Sequence, residues 1–181
     1  VDSVPSINSR PLEGEGSSPL RIGAAQRVQG KIDSDDDSRA EVRLVHDGKL
    51  ISVEVRVWDD SVVSNIAAGD IRGHWRSDSV EICIDPLGGA EDSFGCYKIG
   101  IFPFVEGLGA KAARDADANQ GPIEETAPGT QVVSKRLIGG YWVRAIIPLS
   151  EAGIVPNGKD VFGFNVIIYD GDKKEAAIGE N

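Results

Sequence analysis

The chain has 181 residues, of which 40% are hydrophobic, and this length and composition suit one domain with an ordinary core. Its formal net charge of −10 and sequence pI of about 4.7 argue against binding to nucleic acid or to anionic membrane surfaces, since a basic footprint is absent. No apolar stretch approaches the roughly 18 residues that a membrane span needs.

The first 30 residues are rich in serine, proline and glycine. We expect residues 1–30 to form an extended segment that packs on the folded domain or swaps onto a neighbour. Residues 31–181 are expected to form that domain. It begins with an acidic loop at Asp33 to Asp37.

Regular alternation follows the acidic loop. Ala40 to His46 is predicted to be a strand, and Asp47-Gly48 supplies a favoured two-residue hairpin turn. The next strand, Leu50 to Trp58, has period-two hydrophobicity, with one apolar face formed by Ile51, Val53, Val55 and Val57.

Five further strands are expected along the rest of the chain: Ser79 to Asp85, Phe94 to Phe104, Gln131 to Leu137, Tyr141 to Ile147 and Val161 to Tyr169. Residues 105–129 are predicted to be a loop because they are rich in glycine, alanine and acidic side chains. Strands dominate and long amphipathic helices are missing. This pattern predicts an all-β fold, an antiparallel two-sheet β-sandwich of jelly-roll-like type.

Three ordered segments carry a family resemblance. They are the paired strands that end in Asp59-Asp60, the stretch from His74 to Asp85 with Trp75 ahead of Asp-Ser-Val-Glu, and the strands from Gly140 to Pro148 and Val161 to Val166. Together they resemble the family nine carbohydrate-binding modules and their relatives in the DOMON-like superfamily. The resemblance covers about residues 30–172. It implies a β-sandwich, a non-catalytic role in sugar binding, and structural calcium in some members.

The resemblance also implies site residues. Trp75 matches the tryptophan that forms one wall of the sugar site, Glu81 matches the glutamate that bonds sugar hydroxyls, and Lys98 stands where those members often carry arginine. His74 and Arg76 flank the indole and complete the expected ligand-binding set. A second tryptophan wall of the family has no counterpart before the chain ends at Asn181.

The chemistry of these residues allows two interpretations. Sugar sites combine an aromatic surface with a few convergent polar groups, and Trp75, Glu81 and Lys98 supply both. Alternatively, Trp75 is an ordinary rim aromatic and Glu81–Lys98 is a cross-strand ion pair worth about 0.2–1 kcal/mol. For Trp58 and Trp142, packing in the core or at an edge is expected.

Acidic residues collect at strand ends and in loops, where calcium would find the oxygen ligands that it prefers. A solvated acidic surface is the alternative. The candidate metal ligands are Asp36, Asp37, Asp59, Asp60, Asp170 and Asp172.

Other chemistry has little support in the sequence. Cys83 and Cys96 form either one cross-strand disulfide or two thiols. No nucleophile motif or phosphate loop is present, and we expect no enzyme activity. Haem is not expected, because methionine is absent and only His46 and His74 remain as usual ligands.

The leading hypothesis is a carbohydrate-binding domain of an extracellular or cell-surface protein, joined to a larger parent enzyme. The alternative is an extracellular structural subunit that forms filaments or homo-oligomers when an extended segment adds to an exposed sheet edge.

Overall fold

The computed structural model describes residues 15–16, 18–30, 37–66, 73–115, 117–155 and 161–172. Within these ranges the chain forms strands, two short 3₁₀ helices (Ala24–Gln26 and His74–Arg76) and one α-helical turn, α1 (Ile123–Thr126). None of the described helices is long and apolar enough to cross a membrane. The strands are β1 (Glu15–Gly16), β2 (Leu20–Ile22), β3 (Ser38–His46), β4 (Leu50–Asp59), β5 (Ser79–Asp85), β6 (Tyr97–Val105), β7 (Gly109–Arg114), β8 (Gly121–Pro122), β9 (Gln131–Leu137), β10 (Gly140–Pro148) and β11 (Gly163–Tyr169).

The strands form two antiparallel sheets, so the predicted β-sandwich is confirmed. One sheet has six strands in the order β1-β3-β4-β10-β9, with β2 also paired to β3. The other has five strands in the order β11-β5-β6-β7-β8. Both β1 and β2 pair with a strand of their own chain. The division of the chain at residue 30 stays a prediction.

The core lies between the two sheets and follows the predicted alternation. Val53, Val55 and Val57 from the six-stranded sheet and Ile82 and Ile99 from the five-stranded sheet are at most 1% exposed. Each such side chain contributes about 1.5–3 kcal/mol when it is removed from water. Because alternate residues point outward, each sheet also presents an outer face to its surroundings.

The hairpin between β3 and β4 turns as the Asp47-Gly48 pair predicts. Gly48 has a φ of +85°, a conformation that glycine adopts without strain. The Asp47 carboxylate accepts hydrogen bonds of 2.8 Å from the backbone N–H groups of Lys49 and Leu50. These bonds fix the register of the two strands.

Residues 105–129 are not the loop that the sequence predicted, since they contain β7, β8 and α1. Small residues, including the buried Ala112 and Ala113, occupy much of β7. The strand forms because it pairs with β6 from Gly109 to Arg114, with an irregularity between Phe102 and Val105. Its own side chains show no alternation strong enough to predict it.

Both cysteines are free thiols in this structure. Cys83 lies opposite Lys98 in the β5–β6 ladder, and Cys96 precedes β6. Burial, followed by the nearby Cys96, raises the pKa of the Cys83 thiol to about 11. Of the two alternatives that the sequence left open, the structure has the pair of thiols.

Candidate functional site

A short 3₁₀ turn presents one aromatic side chain to solvent on the outer side of the five-stranded sheet. The turn, His74–Arg76, begins after Gly73, whose φ of +71° is left-handed. Its geometry directs His74 inward, where it is 3% exposed, and leaves Trp75 59% exposed. The two rings meet edge to face with centroids 5.4 Å apart. Trp75 therefore lies directly beside a buried polar side chain.

Beneath this turn, the outer face of β5 carries a buried carboxylate. Glu81 is only 2% exposed. Its Oε2 is 2.5 Å from His74 Nε2 and accepts a 3.3 Å hydrogen bond from the Tyr169 hydroxyl of β11. Its Oε1 is 3.0 Å from Lys98 Nζ on β6. Both carboxylate oxygens thus have partners on neighbouring elements.

These contacts set the charge state of the cluster. Burial alone would raise the pKa of Glu81, but the hydrogen bonds from His74 and Lys98 outweigh it and leave that pKa below its ordinary value. Burial and the nearby Glu81 charge raise the pKa of Tyr169 to about 12. Glu81 is therefore an ionised acceptor and Tyr169 a neutral donor at neutral pH.

A glycine on β6 makes room for the imidazole. A Cβ added at Gly100 would lie 2.9 Å from His74 Nδ1. The same nitrogen is 3.6 Å from Asp115 Oδ2. The ring also contacts Tyr169 at a centroid distance of 4.9 Å. His74 is therefore held from several sides in one orientation.

The structure brings together four of the five predicted ligand-binding residues: His74, Trp75, Glu81 and Lys98. Arg76 is exposed at the end of the same turn. Glu81, which the resemblance matched to the glutamate that bonds sugar hydroxyls, is almost fully buried, because the His74 turn and β11 cover it. Sequence reasoning missed Tyr169, whose outward parity on β11 was visible but whose pairing beside β5 was not.

A second group of polar residues lies where β4, β5 and β11 end or begin. Asp59, Asp78 and Asp170 have carboxylate oxygens that lie within 4.8 Å of one another, and so have Asp37, Asp170 and Asp172. Asp170 is common to both groups. Its Oδ1 is buried and has no hydrogen-bond partner among the described residues.

Burial and mutual repulsion dominate the electrostatics of this acidic cluster. Both effects raise the pKa of Asp78 to about 8, and burial followed by the charge of Asp59 raises the pKa of Asp170 to about 7. Burial also raises the pKa of Asp59. Asp78 accepts hydrogen bonds from the backbone N–H groups of Val63 and Gly171, which join two loops to the cluster.

The structure brings only some of the predicted metal ligands together. Asp37, Asp59, Asp170 and Asp172 belong to the two carboxylate groups, whereas Asp60 belongs to neither group found among the described residues. Asp36 lies outside the described residues. Asp78 belongs to the group with Asp59 and Asp170, and the sequence did not predict it as a metal ligand, because its motif, Asp-Ser-Val-Glu, indicated only the sugar site at Trp75.

Comparisons with known proteins give the chain a family. A family model described as carbohydrate family 9 binding domain-like matches residues 17–179. No curated protein matches the chain. A carbohydrate binding module family 9 from Caldicellulosiruptor kristjanssonii in complex with cellotriose is similar, with a TM-score of 0.54 and 21% identity over 87% of this chain and 75% of that chain.

The same family from that organism, in complex with glucose, is similar with a TM-score of 0.55 and 22% identity, over 78% of this chain and 64% of that chain. At these identities the two structures support the fold, and the family model supports membership because it spans most of the sequence. The chain belongs to the carbohydrate family 9 binding domain-like family and is a non-catalytic carbohydrate-binding domain.

Proposed function

We propose that the chain binds a gluco-oligosaccharide on the outer face of the five-stranded sheet, with Trp75 as the aromatic surface. One observation carries this proposal: an indole that is 59% exposed adjoins a buried, charged hydrogen-bond network. A pyranose ring offers apolar C–H groups on its faces and hydroxyls at its edge. An aromatic surface beside a few fixed polar groups suits that combination.

Within this site we assign Lys98 the role of donating hydrogen bonds to the ligand, and Glu81 the role of holding the neighbouring side chains in position. The Lys98 side chain is 19% exposed, so its ammonium has access to a ligand, whereas Glu81 is almost sealed. An ammonium donates three hydrogen bonds, and the contact with Glu81 uses one of them. Glu81 therefore acts chiefly by holding Lys98 and His74 in place. Gluco-oligosaccharides are the class we choose because the two similar structures hold cellotriose and glucose.

Calorimetric titration with cellotriose and with glucose tests the proposal. Trp75→Ala is expected to weaken binding at least about tenfold, which corresponds to about 1.4 kcal/mol. Phe94→Ala is the matched control, because Phe94 is an aromatic residue 69% exposed in the loop between β5 and β6. Equal affinity of Trp75→Ala and the unchanged chain would show that the site is elsewhere.

We also propose that the acidic cluster holds a structural calcium ion. Two observations support this proposal: Oδ1 of Asp170 is buried without a partner among the described residues, and burial and mutual repulsion raise the pKa values of Asp78 and Asp170, which a bound cation would relieve. Calcium takes about six to eight oxygens, and Asp170 supplies carboxylate oxygens to two groups, one with Asp59 and Asp78 and the other with Asp37 and Asp172.

An extracellular or cell-surface location stays a prediction, as do attachment to a larger enzyme, homo-oligomer formation and the absence of haem.

A further inference from the structure

The acidic cluster lies at one end of the core. Asp59 has the same parity on β4 as the core residue Val57, so its side chain points between the two sheets, where it is 4% exposed. Asp78 comes directly before β5, has the parity of the core residue Val80, and is 1% exposed. Both carboxylates therefore face the interior of the sandwich.

Tyr141 approaches this cluster from the six-stranded sheet. It is the Cα partner of Val57 in the β10–β4 ladder, whereas Trp142 has the opposite parity and is half-buried on the outer face. Tyr141 and Asp59 are thus diagonal neighbours on the inner face of two paired strands, a separation that an aromatic side chain can span. The phenol ring meets Phe104 of the opposite sheet edge to face, with centroids 6.0 Å apart.

The hydroxyl of Tyr141 is sealed in the core. Tyr141 is 0% exposed, and its Oη has no hydrogen-bond partner among the described residues. Burial, followed by the charges of Asp78, Asp59 and Asp170, raises the pKa of this hydroxyl well above its ordinary value. The phenol is therefore a neutral donor, and these three carboxylates are near enough to affect it. A buried donor without an acceptor costs free energy, so native proteins rarely leave one unused.

An acceptor without a partner belongs to the same end of the core. Three buried side-chain nitrogen or oxygen atoms of the described residues have no hydrogen-bond partner, and two of them are Tyr141 Oη and Asp170 Oδ1. A cation bound among the carboxylates would use both atoms. Calcium prefers oxygens such as Oδ1, and ionised carboxylates around an ion accept hydrogen bonds but donate none, so a neutral phenol suits them as a donor.

We propose that Tyr141 is a positioning residue of the acidic cluster, whose hydroxyl donates a hydrogen bond to one of the carboxylates that hold calcium. This inference rests on the calcium ion proposed above. The bond would orient the carboxylate from the side of the core, and the contact with Phe104 fixes the ring that donates it. Groups that orient metal ligands in this way contribute about 10–100-fold to metal affinity.

Calorimetric titration of chelator-treated protein with calcium chloride at pH 7 tests the proposal. Tyr141→Phe keeps the ring in the core and removes only the hydroxyl, and it is expected to weaken calcium binding at least about tenfold. Without calcium, its melting temperature should equal or exceed that of the unchanged chain, because a buried donor without a partner has been removed. A hydroxyl with a merely structural role would not separate calcium affinity from stability in this way.

Tyr97→Phe is the matched control. Tyr97 is also buried, at 2% exposed, but its hydroxyl is 2.8 Å from Thr130 Oγ1. It is the Cα partner of Ile84, at the opposite end of β5 from Asp78. Tyr97→Phe is expected to lower the melting temperature with and without calcium, and to leave the calcium affinity within about twofold.

The calcium proposal and the role of Tyr141 fail separately. If the unchanged chain binds no calcium, the acidic cluster is not a calcium site and Tyr141 has no ion to position. If the unchanged chain and Tyr141→Phe bind calcium equally well, only the role of Tyr141 is refuted. An equal loss of calcium affinity in Tyr97→Phe would also refute that role. So would a lower melting temperature of Tyr141→Phe in chelator, or its failure to fold, since the hydroxyl would then serve the protein itself.

Discussion

At the scale of single residues, the partners of Glu81 determine what the Trp75 site can do. The Glu81 carboxylate is 2% exposed, yet its pKa stays below the ordinary value because the hydrogen bonds from His74 and Lys98 outweigh the effect of burial. Breaking such a buried pair costs more than the pair contributes net, because one charge then stays in a poorly solvated place. Lys98 therefore affects stability as well as ligand binding.

Lys98→Met is expected to lower the free energy of unfolding by about 1–3 kcal/mol at pH 7. The pKa of folded Glu81 is depressed, so the stabilisation is present above the ordinary value of 4.5 and disappears as the pH falls through the folded-state pKa. Urea unfolding at pH 7 and at pH 3 should therefore show a smaller cost at pH 3. The control is Lys111→Met, which breaks the exposed Lys111–Glu124 pair and should cost under about 1 kcal/mol. The same cost for Lys98→Met at both pH values would contradict the assigned role.

Gly100→Ala is expected to displace His74, because the new Cβ would lie 2.9 Å from Nδ1 of a ring that is itself buried. Overpacking of this kind costs about 1–3 kcal/mol, and we expect cellotriose binding to weaken with it. Thermal unfolding and titration check both effects. Gly95→Ala is the control, since nothing lies within 4 Å of a Cβ there. If Gly100→Ala behaves like Gly95→Ala, His74 is not held as described.

At the scale of elements, the turn between β9 and β10 shows how closely backbone segments approach. Gly139 and Gly140 both have positive φ, at +63° and +127°. A Cβ at Gly140 would lie 2.1 Å from the backbone oxygen of Val57 on β4, whereas one at Gly139 would meet nothing within 4 Å. The second glycine is therefore required by packing as well as by backbone conformation.

Gly140→Ala is expected to lower the free energy of unfolding by about 2–4 kcal/mol, because β10 must move away from β4 or adopt a strained conformation. Gly139→Ala should cost only about 1 kcal/mol, the cost of its left-handed backbone. Chemical denaturation of the two variants measures the difference. Similar costs would show that the turn adapts to the added methyl group.

The elements also show what the sequence could reveal. The strands β3, β4, β5 and β10 were predictable because their apolar residues alternate, and β9 because a glycine turn joins it to β10 in a hairpin. The Asp47-Gly48 turn was predictable because its residues suit a hairpin. β7 was not, since Ala112 and Ala113 do not distinguish a strand from a loop without the pairing partner β6. In the Trp75 site, the motif indicated Trp75 and Glu81, whereas Tyr169 became apparent only when β11 was seen beside β5.

At the scale of the whole molecule, a chain of net charge −10 brings several of its carboxylates to one end of the sandwich. Repulsion among them destabilises the folded state unless protons or a cation neutralise it. Because the folded-state pKa of Asp78 is raised to about 8 and that of Asp170 to about 7, folded protein binds more protons than unfolded protein from about pH 4 to 8.

In the presence of a chelator, the melting temperature is therefore expected to fall as the pH rises from 5 to 8. Calcium should reverse this loss, with a larger increase at pH 8 than at pH 5, because the ion takes the place of the protons. Asp170→Asn is expected to raise the melting temperature of the calcium-free protein at pH 8 and to abolish most of the increase due to calcium. Asp60 lies outside both carboxylate groups, so the Asp60→Asn variant should retain the increase in melting temperature due to calcium. If calcium does not change the melting temperature at pH 8, the acidic cluster does not hold a calcium ion.

Tyr169 and Asp170 are consecutive residues at the end of β11, and one contacts Glu81 while the other joins the acidic cluster. An ion that immobilises Asp170 would also restrict the neighbouring side chain of Tyr169, and so pre-organise the hydrogen-bond network of Glu81 beside Trp75. Thermodynamic linkage then requires a reciprocal effect: bound saccharide should raise the affinity for the ion by the same factor by which the ion raises the affinity for saccharide.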